Sequence, residues 1–444
     1  MDAQNLLRRH AAGERDFHEA DVSGLTLIEA TLVGIDLSRS LLCESNLGGA
    51  NLSGANLSGA NLSGTKLIGA NMSRVKLVGA FLRGTDLSWA NLSGANLTGA
   101  DLGEANLTRA NLTEANLTRA DLNEAKLTGV SLSGANLTGI CLNRADLTRV
   151  ILRGVILVRS DLNWANLGGV NLSGSDLTGI SLQGANLANT DLSGVNLRGV
   201  NLMGIDLTQA KLVGANLSGA DLSDANLSGV NLSRANLSVA FLSGANLNGV
   251  NLSEAILRGA TLIQTNLTGV SMQGAILSGA DLAGAILHGV DLSGANLRGC
   301  NLSGANLSGT NLSWTNLRGT DLSQVDMTGA DLSGADMRGA DLHDALLTGV
   351  SLRGANLSEV DLNAANLWGV DLSGANLRGA NLHGADLRGA NLSEADLNIA
   401  NLWGAKLGGA ILSEADLSEA DLSEAVLKRV NLQGALMPDG SIYN

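Results

Sequence analysis

His288, His343 and His383 are the imidazoles that could bind a metal or move a proton, and Cys43, Cys141 and Cys300 are the thiols that could serve as nucleophiles or ligands. Their spacing argues against both chemistries. The cysteines show no metal-type spacing, and an odd, scattered set reads as reduced thiols in a reducing compartment. Carboxylates are better organised. Asp321, Asp326, Asp331, Asp336 and Asp341 recur every fifth residue, and Glu414, Asp416, Glu419, Asp421 and Glu424 form a second cluster. Other motif matches come from a repeated beat. Asn-Leu-Ser and Asn-Leu-Thr meet the glycosylation pattern many times, which means nothing without secretion. Gly returns every five residues with no Gly-Lys-Ser/Thr after it, so no phosphate loop is expected, and the glycine–aspartate spacing of calcium-binding repeats is absent.

The elements that must position these groups follow from that beat, seen in its purest form in GANLSGANLSGANLSG at residues 49–64. With a central apolar residue at position i, the repeat runs from Arg15 to Asp439 without insertion, 425 residues or 85 pentapeptides. Leu fills 78 of the centres, and the others are Phe17, Val22, Met72, Met272, Met327, Met337 and Met437. Position i−2 is mostly Ala, i−1 Asn or Asp, i+1 Ser or Thr, and i+2 Gly. On an α-helix a five-residue period would spiral Leu around all sides, and on a straight strand it would alternate Leu between faces. Neither buries the column. The chain must therefore turn a corner once per repeat, with Gly suited to that corner because it tolerates positive φ. The result is a solenoid.

Valine marks the number of sides. Of 16 Val at i−2, ten share one phase modulo 20: Val130, Val150, Val170, Val230, Val250, Val270, Val290, Val350, Val370 and Val430. Twenty residues per coil give a four-sided all-β coil of about 21 turns, roughly 100 Å long at a β-type spacing of ~4.8 Å. These A(D/N)LXX tandem units resemble the pentapeptide-repeat family over essentially the whole chain. The resemblance implies a right-handed quadrilateral β-helix. The termini, LLRRHAAGERDF and MPDGS, are similar to those of cyanobacterial members, which implies a bacterial, cyanobacterial source.

An open coil end would expose Leu and unpaired backbone. Residues 1–14 are expected to cap one end through a short helix over 3–12, with Leu6, Leu7 and Ala11 covering the first coil, Gly13 as its stop and Phe17 as an aromatic plug. Residues 15–439 form one continuous β-helix, and 440–444 are a tail, with Ile442 and Tyr443 folding over the last Leu after the turn at Pro438. The start has no apolar signal region and no run approaches 18 apolar residues, so the expected location is the cytoplasm, with no membrane partner.

Function is constrained mainly by exclusion. A solid Leu and Ala interior with no insertion offers no pocket, so neither an enzyme nor a cofactor or metal site is expected. His343 and His383 share a column two turns apart, roughly 10 Å, too far for one zinc. The formal charge of −14 disfavours direct nucleic-acid binding. Spread over the rod it is one charge per ~7 Å, against one per ~1.7 Å in B-DNA. Some family members mimic DNA and bind type II topoisomerases such as gyrase, and the acidic clusters make this the alternative reading. Outward departures from the beat point elsewhere. Val78, Ile156, Val158, Arg159, Ile256, Arg258 and Ile276 are apolar or basic and share one side of the coil, where Arg298, Arg318 and Arg338 follow in consecutive turns. This side is the candidate protein-binding face of a non-enzymatic scaffold whose partner protein is unknown. End-to-end homodimerisation through the C-terminal coil is a further expectation. Trp89, Trp164, Trp314, Trp368 and Trp403 all sit at i+1 or i+2, outward, and are expected to pack over neighbouring Ser and Thr.

Overall fold

In the computed structural model, which describes Met1–Asn444, the five-residue beat closes on itself after four repeats. Parallel bridges join Asp16 to Asp36, Asp21 to Leu41, Thr26 to Asn46 and Thr31 to Asn51, and the same step of twenty continues along the chain. The four sides are called faces 1 to 4 after the first centres on them: Phe17, Val22, Leu27 and Leu32. The chain divides into two compact units, Met1–Asn216 (unit 1) and Leu217–Asn444 (unit 2).

One set of backbone bonds explains the corner. Ala20 N–H donates to the Phe17 carbonyl at 3.2 Å, closing a four-residue turn whose third residue is at positive φ, +59° for Glu19. Positive φ at that place is the mark of a type II turn, and it explains the glycine at i+2, as in Gly54 at +67°. Side-chain-bearing residues take the same conformation, including the β-branched Val239 (+52°) and Ile399 (+54°). Between coils, Phe17 N–H donates to Asp36 O at 2.8 Å, Glu19 N–H to Ser38 O at 2.9 Å, and Asp36 N–H to Arg15 O at 2.7 Å.

The Asn or Asp at i−1 has two jobs. Its Oδ1 accepts the N–H two residues on, as Asn51 does from Ser53 at 3.1 Å, an Asx-turn that rigidifies the corner. Where the residue is Asn, its Nδ2 also donates to the coil before. Asn71, Asn91 and Asn111 each reach back to the previous ladder member at 3.2–3.4 Å. Asn56 donates to Asp36, Asn106 to Asp86 and Asn301 to Asp281 at 3.0–3.1 Å. An Asn after an Asp thus supplies a donor where a second carboxylate would repel.

Inside, the centres and the i−2 residues are buried along most of the chain, with the valines of face 4 stacked in both units, while Leu427 in the last coil is 39% exposed. Polar i−2 residues cause no orphan. Thr65 and Thr85 donate to the carbonyls of Leu42 and Leu62, and Thr310 and Thr320 to those of Leu287 and Leu297, each at 2.8 Å. Every buried side-chain polar atom has a partner.

At the start of unit 1, helix α1 (Ala3–Ala11) is capped by Asp2, whose side chain accepts Asn5 N–H at 2.8 Å. Leu6 is fully buried and Leu7 half-buried, but Ala11 is exposed. His10 takes the place expected for Ala11, because it lies one helical turn after Leu6 on the same stripe. Its Nε2 sits 3.2 Å from the Val33 carbonyl. Phe17 is buried beneath the Arg9 guanidinium, 4.9 Å from the ring centre, and Arg9 pairs with Glu14. At the end of unit 2, residues 440–444 fold back as expected, but through backbone. Leu436 and Ile442 form an antiparallel bridge, and Gly434 N–H donates to Tyr443 O at 2.7 Å. The Ile442 and Tyr443 side chains remain exposed, since a two-residue ladder points them away from the last Leu.

The ladder is not uniform. In unit 1 no bond joins the Leu122, Glu124 or Leu127 N–H to the next coil, although Leu132 and Leu137 still bond to Ile151 and Ile156 at 2.8 Å. The coils part on face 3, where Lys126 and Asp146 are not bridged, loosen on face 2, where only the Asp121–Cys141 bridge remains, and hold on faces 4 and 1. In unit 2 the same happens at Leu342, Asp344 and Leu347, while Leu352 and Leu357 hold at 2.7 Å.

Candidate protein-docking faces

These seams correct the expectation of a pocket-free surface. The first opens a cleft of ≈ 810 Å³ lined by Arg83, Asp121, Glu124, Cys141, Arg144 and Asp146 among others. The second, of ≈ 430 Å³, lies between Asp341–Leu346 and Asp361–Asn366. Parting of consecutive coils needs no insertion, and for that reason an unbroken beat did not reveal it. The histidines are spread out. His288 Nδ1 lies 2.9 Å from the Ser308 hydroxyl, His343 is 3.2 Å from Asp344, and His383 stacks on Trp403 at 4.6 Å.

All the residues of the candidate face lie on face 1. In unit 1 the structure brings Ile156, Val158 and Arg159 together within one pentapeptide. Ile156 is 40% exposed, Val158 half-buried and Arg159 exposed at φ +56°. The ladder neighbours of Ile156 are Asn136 and Asp176, so its apolar patch does not extend along the column. Val78 is 41% exposed but stands four coils away from Val158 and belongs to a different patch.

In unit 2 the face is more continuous. Ile256 and Ile276 are bridged directly and half-buried. Arg258, Arg298, Arg318 and Arg338 are exposed at i+1 in one column, and Arg378 joins them, a residue the sequence reading passed over although the same step of twenty would have found it. Arg338 pairs with Asp336 at 2.6 Å, and the guanidinium beside it holds that carboxyl below the usual carboxylate range. Arg378 is hydrogen-bonded to Asn398. The neighbouring i+2 column is glycine at 279, 299 and 319, each with open space where a Cβ would stand.

Face 2 of the same coils is the electrostatic opposite. Asp321, Asp341 and Asp361 are bridged in succession, with Asp281 and Asp344 on the same face. Trp89, Trp164, Trp314 and Trp403 meet partners along their own columns. A Cβ on Gly184 would meet the Trp164 ring and one on Gly334 the Trp314 ring, so a bare glycine one coil on is what receives each indole. Trp89 instead carries the Arg109 guanidinium 4.6 Å from its ring centre.

No helix is long and apolar enough to cross a membrane. The family model described as Pentapeptide repeats (8 copies) matches residues 16–59, 55–94, 90–129, 131–169, 165–204, 201–238, 240–274, 265–304, 275–313, 305–344, 315–354, 340–379, 355–394 and 395–434. No curated protein matches the chain. Among solved structures, the chain is similar to HetL, a pentapeptide repeat protein involved in heterocyst differentiation regulation from the cyanobacterium Nostoc sp. strain PCC 7120. Identity is 34%, coverage 58% of this chain and 97% of that one, and TM-score 0.20. QnrB1, a plasmid-mediated fluoroquinolone resistance protein, is 24% identical over 39% of this chain and 87% of its own, with a TM-score of 0.30. Rfr23, from the cyanobacterium Cyanothece 51142, is 24% identical over 42% and 97%, with a TM-score of 0.15.

Proposed function

The chain belongs to the pentapeptide-repeat family, and from that premise we propose that it is a non-enzymatic scaffold, a right-handed β-helix of about 21 coils in all, whose face 1 docks a partner protein in the cytoplasm. The observation that carries this is the succession on face 1 of the bridged pair Ile256 and Ile276 and of Arg298, Arg318 and Arg338, against a formal charge of −14, whereas exposed apolar residues on other faces, such as Ile68, Phe81 and Ile151, form no such series. Exposed apolar residues beside arginine are the composition of interface centres rather than of solvated surface. Tagged wild-type protein recovered from its native cells, beside the double variant Ile156→Asp/Val158→Asp, tests the reading. Loss of a co-purifying protein from the variant is expected. Equal recovery, with both proteins equally folded by circular dichroism, would remove face 1 of unit 1 from the interface.

The succession Asp321, Asp341, Asp361 favours a second reading, in which face 2 of unit 2 imitates the charge of DNA and binds a type II topoisomerase. A gyrase supercoiling assay decides it: absence of inhibition at micromolar protein eliminates this alternative.

A further inference from the structure

Five arginines, Arg258, Arg298, Arg318, Arg338 and Arg378, stand in one column of unit 2, within seven coils whose face 1 carries Asp336 and Glu359 as its acids. Arg298 and Arg318 are exposed in consecutive coils and form no salt bridge, although the Arg318 charge helps Arg338 hold the Asp336 carboxyl down. Like charges stacked at ~4.8 Å repel, and the fold gains nothing from them, since Ser278 and Ser358 fill the same position in the same column. The groups are therefore arranged for something outside the chain. Beside them Gly279, Gly299 and Gly319 leave open space where a Cβ would stand, as most glycines of this corner position do. One coil before Arg298 the column of departures turns apolar, at the bridged pair Ile256 and Ile276.

Building on the scaffold reading, we propose that face 1 of unit 2 binds an acidic amphipathic α-helix of a partner protein, laid along the arginine column with an apolar residue at one end seated on Ile256 and Ile276. Spacing selects the helix. Consecutive coils place guanidinium groups at intervals of ~4.8 Å. Helix positions i, i+3 and i+7 rise by ~4.5 and ~10.5 Å, close to the ~4.8 and ~9.6 Å of Arg298 to Arg318 to Arg338. Alternate residues of an extended strand are ~6.8 Å apart and fall out of step within two coils. Arginine favours carboxylates through paired N–H donors, so each match adds a charge-assisted contact.

The test uses the full chain and two labelled, helix-stapled peptides of one composition, read by fluorescence anisotropy. The first has Leu one turn before Glu at i, i+3 and i+7, matching Arg298, Arg318 and Arg338. The second carries the same residues with Glu at i, i+2 and i+5. A single-stranded 20-nucleotide oligomer is the third probe. Binding of the spaced peptide at least about tenfold tighter than the shuffled one is expected, with a loss of at least about tenfold in Arg298→Glu/Arg318→Glu. Those positions are exposed, and unchanged circular dichroism and thermal midpoint confirm that the variant is folded. Equal binding of both peptides, no loss in the variant, or tighter binding of the oligomer overturns the proposal. Its failure is separable from that of the scaffold reading. A native partner lost by Ile156→Asp/Val158→Asp but retained by Arg298→Glu/Arg318→Glu leaves the scaffold standing and removes the acidic helix.

Discussion

Coils 81–100 and 121–140 of unit 1 are written in the same five-letter beat, yet they meet their successors differently. From the first, Leu82, Leu87, Leu92 and Leu97 each donate to the next coil at 2.7–2.8 Å. From the second, faces 4 and 1 stay bonded while face 3 stands apart and face 2 is loosened. The centres record the difference: Leu92 and Leu97 are fully buried, whereas Leu122, Leu127 and Leu142 are 4–6% exposed. Local sequence makes the corner, and contact between coils makes the ladder. The first can persist where the second fails, because the turn bonds, such as Ala125 N–H to Leu122 O at 3.0 Å, close within one pentapeptide.

Thiol chemistry should separate the two conditions most widely. Cys300 is buried in an intact ladder, with its Sγ donating to the Leu277 carbonyl at 3.0 Å, and burial pushes the thiol up to about 12. At pH 8 it stays protonated and should react with a maleimide only on unfolding. Cys141 lines the first cleft and is half-buried, so it should label in the native protein. Labelling of Cys300 at the native rate of Cys141 would mean that intact coils breathe as freely as parted ones.

Truncation comes next in size. Leu97→Ala leaves a dry cavity between bonded coils and should cost about 3 kcal/mol. Leu127→Ala, at the seam, opens into solvent and should cost roughly half that, because water fills what is removed. Equal midpoints in urea would refute the distinction. Amide exchange sharpens it further. The Leu122, Glu124 and Leu127 amides should exchange at least about tenfold faster than those of Leu92 and Leu97. The smallest effect tests the corner alone. Val239→Gly relieves a β-branched residue at φ +52° and should stabilise by up to about 1 kcal/mol, with no change in exchange at either seam.

What the sequence made legible follows from what repeats. The period of five, the corner glycine and the valine column of face 4 were enough for a four-sided coil, since each is a statement about one pentapeptide and its partner twenty residues on. The seams were not legible. DLNEAKLTGV at 121–130 departs from the beat at Asn123, Glu124 and Lys126, but Lys66 and Glu104 are departures of the same kind in coils whose ladder holds, so no single residue type marks the ladder that parts. Ala11 was misplaced because the helix was read by composition rather than by the i, i+4 stripe that selects His10. The role of i−1 was half legible. Stacked repulsion suggested why Asn relieves Asp, but only the geometry displays Asn106 Nδ2 donating to Asp86. The arginine column of face 1 was visible by register.

The step of twenty between bonded partners also gives each unit a mechanical grain. Pulled from an end, a coil can leave only by unzipping from one neighbour, and each one released adds twenty residues, roughly 70 Å of contour at ~3.4 Å per residue. Such a unit should lengthen in equal increments rather than give way at once. Where face 3 is already parted and face 2 loosened, several bonds of a coil are gone, and the force needed for that increment should dip. The seams would then be weak links of a molecular ratchet, set at fixed places within each unit.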